Sequence, residues 1–259
     1  MAKLFRKLFR AILHYDPSFC DMYQDQHARL VGMEYLERLK AHLRERFGNQ
    51  RLSMLDAGCQ AGRLLIPLAR AGHTMIGIDT SPFAIHRLRR HAKADRLAFR
   101  LIRGDLTHLP RWIQPASLDA VICIEVLYLC QNYRTLLQQL VDVVKPGGLV
   151  FVAHRPTLYY VARALLNGTP GQAEDFLDRS EGSSTDGTYH NWQTQEQLAV
   201  LYRSLGLQII GCHPVDQHVV QLDLSTASAR VRQFLNMTIM HDMAHIPTYL
   251  LIAAQKPHE

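Results

Sequence analysis

The stretch Leu55-Asp-Ala-Gly-Cys-Gln-Ala-Gly62 leaves a predicted strand at 52–56 and enters a predicted helix. A glycine at position 58 lets the backbone turn tightly and come close to a ligand. Gly62 lets the start of the helix approach both the ligand and the sheet. Asp56 falls at the carboxyl end of the strand, and this is the edge where doubly wound sheets bind ligands. We therefore predict a ligand-binding strand–turn–helix unit.

Strand-like and helix-like segments alternate around this unit. Further strands are predicted at 73–79, 99–102, 118–124, 149–153, 207–212 and 249–254, and helices at 27–47, from Ser81-Pro82, at 133–144 and at 194–205. Short apolar strands that alternate with helices indicate a mostly parallel sheet with helices on both faces. The predicted fold is α/β and Rossmann-like, with a seven-stranded sheet.

Two segments interrupt this alternation within a domain predicted over 27–259. Residues 156–193 are rich in Gly, Ser, Thr and Asp around 180–188, which indicates an insertion with a mobile loop. Residues 214–246 predict a second, irregular or helical insertion. Together the two insertions are expected to form a cap over a substrate. The first insertion is rich in aromatic residues, namely Tyr159, Tyr160, Phe176, Tyr189 and Trp192. They predict either a pocket for an apolar or planar molecule or the small core of the cap.

Composition narrows the class of protein. The formal net charge of +6 is too weak to predict a nucleic-acid partner, and no apolar run reaches the roughly 20 residues that span a bilayer. Five scattered cysteines contain no CxxC pair, so we predict reduced thiols in the cytoplasm, no disulfide framework and no metal site. The sequence carries no prediction of the oligomeric state.

Residues 1–26 form a separate lead-in. Within 2–14, Leu4, Phe5, Leu8, Phe9, Ile12 and Leu13 share one helical face, while Lys3, Arg6, Lys7 and Arg10 fall outside it. This pattern is typical of a helix on an anionic membrane surface, which would place the protein peripherally on the inner face of a membrane. A helix docked on its own domain fits the pattern equally well, and a mitochondrial presequence is disfavoured because the stretch lacks serine.

The turn at 58–62 distinguishes between two kinds of cofactor. The dinucleotide pattern G-x-G-x-x-G is absent, although Asp79 lies at a distance from the turn that nicotinamide enzymes also use. Asp56 precedes the first glycine by two positions, and a carboxylate there attracts a cation but repels a pyrophosphate. A further acid, Asp105, follows the third predicted strand. These acids favour S-adenosylmethionine, which carries an ammonium and a sulfonium and has no phosphate.

From about residue 30 to its end, the chain resembles class I S-adenosylmethionine-dependent methyltransferases. Five stretches match the motifs of that family in order, namely LDAGCQAG, GIDTSPFAI, GDLTHLP, LDAVICIEVLYL and VVKPGGLVFVA. The resemblance implies that Asp79 binds the ribose hydroxyls, that Asp105 accepts from the adenine amino group, and that Ile124 and Glu125 lie beside the cofactor. The implied cofactor-binding residues are Asp56, Gly58, Cys59, Gln60, Gly62, Asp79, Thr80, Asp105, Leu106 and Ile124. Gln60 departs from the first motif, which has glycine there.

Methyl transfer is an in-line displacement for which the protein mainly aligns donor and acceptor. An oxygen acceptor usually also needs a base. Three candidates follow predicted strands or lie in the first insertion: Glu125, His154 and His190. Histidine titrates near neutral pH, so either histidine is chemically suited to deprotonate a hydroxyl. Each of the three equally fits a structural role.

The segments after the fifth strand resemble ubiquinone-biosynthesis O-methyltransferases in layout. The resemblance implies O-methylation of a small apolar or planar acceptor. One departure is that Tyr128 and Leu129 stand where that family carries Glu-His. The alternatives are a non-catalytic protein that keeps the fold and, less favoured, a protein or RNA methyltransferase, since there is no separate RNA-binding module.

Overall fold

A computed structural model describes residues 25–94, 97–183, 187–238 and 244–258. Its main sheet has seven strands in the order β3-β2-β1-β4-β5-β9-β8. The pairs β1–β2, β1–β4 and β2–β3 are parallel, and the pair β8–β9 is antiparallel. The predicted α/β fold with a seven-stranded, mostly parallel sheet is therefore confirmed.

The described residues form two compact units, one of 25–123 and 142–149 and the other of 124–141 and 150–258. The first unit contains, in chain order, α1 (Gln26–Phe47), β1 (Ser53–Ala57), α2 (Leu65–Arg70), β2 (Thr74–Asp79), α3 (Pro82–Ala94), β3 (Arg100–Arg103) and β4 (Leu118–Cys123), and it also holds the start of β5 (Val144–His154).

Helix α1 has local signals at both ends. The Asp25 carboxylate accepts from the Ala28 backbone N–H at 2.7 Å and caps the first turn. Gly48 ends the helix with a φ of 62°, a conformation that favours glycine. Its buried face repeats every four residues, at Val31, Tyr35, Leu39 and Leu43. The same logic confirms the predicted start of α3, where the Ser81 hydroxyl accepts from the Ala84 N–H at 3.2 Å.

The second unit contains α4 (Tyr133–Asp142), whose last residue belongs to the first unit, and it also holds the end of β5. The elements that follow are α5 (Thr157–Leu166), α6 (Pro170–Asp178), β6 (Glu181–Ser183), β7 (Tyr189–Asn191), α7 (Gln195–Ser204), β8 (Gln208–Val220), α8 (Ala229–Thr238) and β9 (Ala244–Gln255). A 3₁₀ turn spans Leu127–Leu129. Strands β6 and β7 form an antiparallel hairpin, and 184–186 between them, where a mobile loop is predicted, lie outside the described residues.

The helices inserted after β5 share a hydrophobic core. Residues from α5, α6, α8 and β9 pack together, including Val161, Ala173, Val231 and Ile246. The predicted insertion at 156–193 thus contains two helices and a hairpin. The second insertion, predicted over 214–246, is too long, because β8 continues to Val220 and β9 already begins at Ala244. Polar residues and Pro214 hide the strand period of β8, whereas pairing with β9 satisfies its backbone.

Two smaller predictions are also corrected. The helix after β1 begins only at Leu65, so the turn that precedes it is longer than expected. Residues 145–148, which lie between the predicted helix at 133–144 and the predicted strand at 149–153, already belong to β5. Residues 2–14 lie outside the described residues, so their amphipathic helix stays a prediction. Across the ranges that the structure covers, no helix is long and apolar enough to cross a membrane.

Candidate active site

The loop after β1 is fastened to the end of β2 by its backbone. The N–H groups of Gly58 and Cys59 both donate to the Ile78 carbonyl, at 2.8 and 3.1 Å. Gly58 has a φ of 84°, which only glycine adopts readily. This shared acceptor folds the loop across the carboxyl ends of β1 and β2. The predicted ligand-binding turn therefore has a defined backbone path.

Small residues allow this loop to pack closely. Gly62 has a φ of 92°, and a Cβ on it would lie 2.8 Å from the Ile66 side chain. Cys59 is buried, with its thiol directed at Gly77, where an added Cβ would meet the sulfur at 2.9 Å. Cys59 therefore contributes to the loop through its backbone, while its side chain fills the core. Its role toward a cofactor stays a prediction.

The backbone conformation of Gln60 shows how a glutamine is accommodated where the first motif has glycine. Its φ is 47°, so a glutamine occupies the left-handed conformation for which glycine is suited. Its backbone N–H donates to Oδ2 of Asp79 at 2.9 Å. Its side-chain Oε1 is buried and has no hydrogen-bond partner within the described ranges. The loop thus keeps the shape that glycine would give it, at the cost of a less favourable backbone.

Asp79 ends β2 with a carboxylate already oriented by the backbone. Oδ2 accepts from Gln60 and Oδ1 accepts from the Ser81 N–H at 2.8 Å. Burial raises the pKa of Asp79, while these two hydrogen bonds oppose the rise. A fixed and partly desolvated carboxylate is suited to bind two neighbouring hydroxyl groups. Thr80, also a predicted cofactor residue, is exposed.

Asp56 is a buried acid at the end of β1. Only 2% of its surface is exposed, and its Oδ2 accepts no hydrogen bond from the residues described. Burial raises its pKa to about 7; the charge of Arg63 opposes this rise and that of Asp79 adds to it. A buried, incompletely satisfied carboxylate is costly unless a cation or donor meets it. The residues present therefore fit the ammonium of S-adenosylmethionine.

Asp105 lies in the loop after β3. It is exposed, and its Oδ1 accepts from the Thr107 N–H at 2.8 Å in a local turn. Leu106 beside it is buried. The hydrogen bond from Thr107 fixes the carboxylate of Asp105 and occupies one of its two oxygens. The predicted contact of Asp105 with adenine is supported by the resemblance alone. Asp56, Gln60, Asp79 and Asp105 all belong to the first unit.

Ile124 and Glu125 open the second unit. Ile124 is buried, and Glu125 has a φ of 61°, a left-handed conformation that costs a non-glycine residue about 1–2 kcal/mol. Burial is the main cause that raises the pKa of Tyr249 on β9, and the charge of Glu125 raises it further. Backbone strain of this kind is concentrated at functional positions. Glu125 thus stays a candidate base.

His154 is not placed to act as a base. It is fully buried, and its Nε2 lies 2.9 Å from the hydroxyl of Tyr202 on α7. Burial lowers the pKa of His154 to about 4, with Gln193 acting in the opposite direction. A neutral, enclosed imidazole bonded to a tyrosine joins β5 to α7. Of the two roles that the sequence left open for His154, this enclosure favours the structural one.

His190 on β7 lies against aromatic rings. It stacks on Tyr128 with ring centroids 6.1 Å apart and planes 11° apart, and it meets Tyr160 edge-on at 6.1 Å. Its side chain is half-buried. Tyr128 is the first of the two residues that stand where the ubiquinone-biosynthesis O-methyltransferases carry Glu-His. His190 thus contacts two rings that belong to the aromatic residues of the second unit, Tyr128 and Tyr160.

Sequence reasoning missed Arg155, which directly follows β5. Its guanidinium lies over the rings of Tyr128, Tyr159 and Tyr249, at 4.5, 4.8 and 5.0 Å from their centroids. One Nη donates to the Tyr249 hydroxyl at 2.9 Å. We name Arg155, Tyr128, Tyr159, Tyr160 and Tyr249 the Arg155 cluster. The only sequence signal for it was the excess of tyrosine in the first insertion.

The predicted aromatic pocket divides into two parts. Trp192 is buried, donates to the carbonyls of Phe176 and Arg179 at 3.0 and 2.8 Å, and packs on the Phe176 ring. These two residues pack on each other inside the insertion, and the Tyr160 ring contacts both of them. Tyr189 bonds to the Glu181 carboxylate across the β6–β7 hairpin. Only Tyr159 and Tyr160 of the predicted set belong to the Arg155 cluster.

Comparisons with known proteins agree with the geometry of the first unit. A family model described as a methyltransferase domain matches residues 55–152. The ubiquinone biosynthesis O-methyltransferase of Methylocella silvestris is 37% identical over 102 residues, which are 39% of this chain and 39% of that enzyme. The chain thus spans less than half the length of this relative. A human tRNA N(3)-cytidine methyltransferase is 28% identical over 202 residues, 76% of this chain and 67% of that enzyme.

Solved structures show the same fold. Magnesium protoporphyrin IX methyltransferase from Synechocystis PCC 6803, with bound SAH, superposes with a TM-score of 0.63 and 16% identity, covering 92% of each chain. The fold and the family model define an α/β methyltransferase domain that binds S-adenosylmethionine. Over residues 55–152, the chain is similar to class I S-adenosylmethionine-dependent methyltransferases.

Proposed function

We propose that this chain transfers the methyl group of S-adenosylmethionine to a hydroxyl of a small, planar acceptor. The observation that carries the proposal is the pair of acids at the ends of β1 and β2, Asp56 and Asp79. A buried carboxylate oxygen of Asp56 has no hydrogen-bond partner among the residues described. The similarity to ubiquinone-biosynthesis O-methyltransferases supports an oxygen acceptor. The tyrosines of the second unit support a planar one.

Each acid of the first unit has a proposed role. Asp56 receives the ammonium of the donor, Asp79 binds the ribose hydroxyls, and Asp105 accepts from the adenine amino group. When bound, the donor supplies a methyl group already activated by its sulfonium. The chain then has to hold the donor still, exclude water and orient the acceptor oxygen for in-line attack. Hydrogen bonds from Gln60 and Ser81 already orient Asp79 before the donor arrives.

We propose His190 as the base that takes the proton from the acceptor hydroxyl. Its side chain is half-buried and stacks on Tyr128, whereas His154 is fully buried. His190→Gln should lower kcat by about 10²- to 10⁴-fold, the usual contribution of a general base. Binding of S-adenosylmethionine should not change. Glu125→Gln is the matched test of the second candidate, and a loss confined to that variant would transfer the role to Glu125.

Calorimetry tests the donor site. Asp79→Ala should weaken the binding of S-adenosylmethionine and of its demethylated product at least about tenfold, because charge-assisted hydrogen bonds to the ribose are lost. Glu37→Ala is the control, since Glu37 is an exposed carboxylate on α1 of the same unit. If neither compound binds to the wild-type protein, the alternative of a non-catalytic protein replaces the proposal.

A second measurement tests the acceptor. Methyl transfer from labelled donor should occur to catechols or polyprenyl phenols. The similarity to a human tRNA methyltransferase makes transfer RNA the competing acceptor. Methylation of tRNA with no turnover of any phenol would replace the small-molecule proposal by the RNA one.

We propose a cytoplasmic protein that contacts membranes through residues 2–14. The support is the basic amphipathic pattern of that stretch. The full chain should float with vesicles that contain anionic lipid and not with neutral vesicles. A variant that begins at residue 25, where the described structure begins, is the control. Equal behaviour of the two chains would favour a helix docked on its own domain.

We also propose that 156–193 caps the acceptor.

A further inference from the structure

Arg155 is a half-buried cation that has no counter-ion among the residues that the structure describes. Among the residues described, no Asp or Glu carboxylate forms an ion pair with it. Its Nε–H is buried and donates to no acceptor within the described ranges. Burying a guanidinium in this way is costly unless an anion completes its hydrogen bonds.

The aromatic rings compensate only part of this cost. Three rings lie within 5.0 Å of the guanidinium carbon, which places it in an arrangement typical of cation–π contacts. The Tyr249 hydroxyl takes one N–H at 2.9 Å, and that of Tyr128 lies at the limit of a hydrogen bond, 3.5 Å away. Neutral hydroxyls and ring faces do not neutralise a full positive charge. The planar fork of the guanidinium remains suited to a carboxylate.

The surroundings of Arg155 indicate the shape of its ligand. Arg155, Tyr159, Tyr160 and Tyr249 are each half-buried, so part of the cluster is open to a small molecule. The neighbours are flat rings, including His190 stacked on Tyr128. A phosphate dianion usually requires several cations or backbone N–H donors, whereas this cluster offers one guanidinium. A carboxylate attached to a planar ring matches both the single charge and the aromatic surroundings.

We propose that the Arg155 cluster binds the carboxylate of a planar aromatic acid, and that this acid is the methyl acceptor. The second half of this statement rests on the proposed function, while the first half concerns binding alone. The carboxylate pairs with the Arg155 fork, and the ring packs among the tyrosines. His190, stacked on Tyr128, then lies on the same aromatic surface as the hydroxyl to be methylated.

Two ligands that differ only in charge test the binding. The pair is 3,4-dihydroxybenzoate and 3,4-dihydroxybenzamide, titrated by calorimetry into the wild-type protein. The carboxylate should bind about 10- to 100-fold more tightly, the range expected for hydrogen bonds between charged groups. Equal affinities for the acid and the amide would overturn the proposal. This comparison needs no variant, so a failure to fold does not affect it.

Variants assign the effect to Arg155. Arg155→Gln should remove the preference for the acid, and Arg155→Lys should retain only part of it, because an ammonium cannot make a two-pronged contact. Tyr249→Phe should weaken acid binding only modestly. Arg203→Gln is the control, since Arg203 is an exposed arginine of the same unit. Near-ultraviolet circular dichroism verifies folding, and an unchanged preference in folded Arg155→Gln would refute the assignment.

The two proposals fail in distinguishable ways. S-adenosylhomocysteine binding is measured on the same samples, and it depends on the acids of the first unit. If the donor binds and neutral catechols are methylated as fast as the acid, the carboxylate proposal fails and the proposed function stands. If the acid binds through Arg155 but is never methylated, the binding site stands and its role in acceptor recognition fails.

Discussion

The backbone N–H of Gln60 donates a hydrogen bond to the Asp79 carboxylate at 2.9 Å. Through this bond, the residue that departs from the glycine motif orients the acid proposed to bind the ribose. Gln60 reaches the bond only with a φ of 47°. The hydrogen bond and the unfavourable backbone conformation are therefore properties of one residue.

Gln60→Gly should stabilise the protein by up to about 1 kcal/mol, because glycine adopts the left-handed conformation without a steric cost and loses only part of this gain to its greater freedom when unfolded. The Asp79 hydrogen bond uses the backbone, so donor affinity should be retained. Thermal unfolding and calorimetry measure the two quantities.

Gln60→Val is the counterpart of this change. A β-branched residue tolerates positive φ poorly, so this variant should lose stability and bind the donor more weakly. If Gln60→Gly were instead destabilised, the buried amide of Gln60 would have to contribute more than the backbone costs.

Asp56→Asn should change how stability depends on pH. The pKa of Asp56 rises from its ordinary 3.8 to about 7 in the folded protein. The folded state therefore binds this proton more tightly, and the associated stability is complete below pH 3.8 and lost as the pH rises through 7. The free energy of unfolding of Asp56→Asn, relative to wild type, should thus improve between pH 5 and pH 8. Urea unfolding at both pH values measures this difference.

Donor affinity should respond in the opposite sense. An ionised Asp56 attracts the ammonium of S-adenosylmethionine, so wild-type affinity should rise as the pH increases from 5.5 to 8. Asp56→Asn should bind weakly at both values. An Asn variant that kept wild-type affinity at pH 8 would show that the carboxylate does not receive the ammonium.

Tyr202→Phe should destabilise the protein without affecting the donor site. It leaves the buried Nε2 of His154 without its 2.9 Å partner, and an unsatisfied buried group costs about 1–3 kcal/mol. Because the pKa of His154 is lowered to about 4, its neutral form contributes stability above pH 6.5 that is lost as the pH falls toward 4. A loss of kcat with unchanged stability would instead return His154 to a catalytic role.

Gly77→Ala should destabilise the first unit by about 1–3 kcal/mol through overpacking. The added Cβ would lie 2.5 Å from Leu65 Cδ1 and 2.9 Å from the Cys59 sulfur, so the core beneath the loop must shift. Gly104→Ala is the matched control, because its Cβ would meet only Ile102, at an ordinary 3.6 Å. Equal unfolding midpoints for the two variants would contradict this description of the packing.

Local sequence patterns predicted the elements of the first unit well. The strand ends at Asp56 and Asp79 follow from short apolar runs closed by an acid, and the helix after Ser81-Pro82 follows from its cap. Sequence also identified Gln60 as a departure. It did not reveal the left-handed backbone that makes this departure compatible with the loop, since that depends on hydrogen bonds to Asp79.

The second unit was harder to predict because its site is assembled from distant segments. Tyr128 follows β4, Arg155 follows β5, Tyr159 lies on α5 and Tyr249 on β9. No local pattern links positions that are separated by more than a hundred residues along the chain. His154 and Arg155 are neighbours in sequence, yet only the structure shows that the histidine is enclosed and that the arginine faces the tyrosines.

Strand β8 lies at one end of the strand order, next to β9. Its pairing with β9 shifts register between Ile209 and Gly211, Pro214 lacks an N–H, and Asp216 has a φ of 57°. An outer strand with an unbroken row of donors and acceptors recruits strands from other molecules. These three irregularities interrupt that row at intervals of a few residues. We therefore expect this edge strand to pair poorly with strands of other molecules, which would limit aggregation at this end of the sheet.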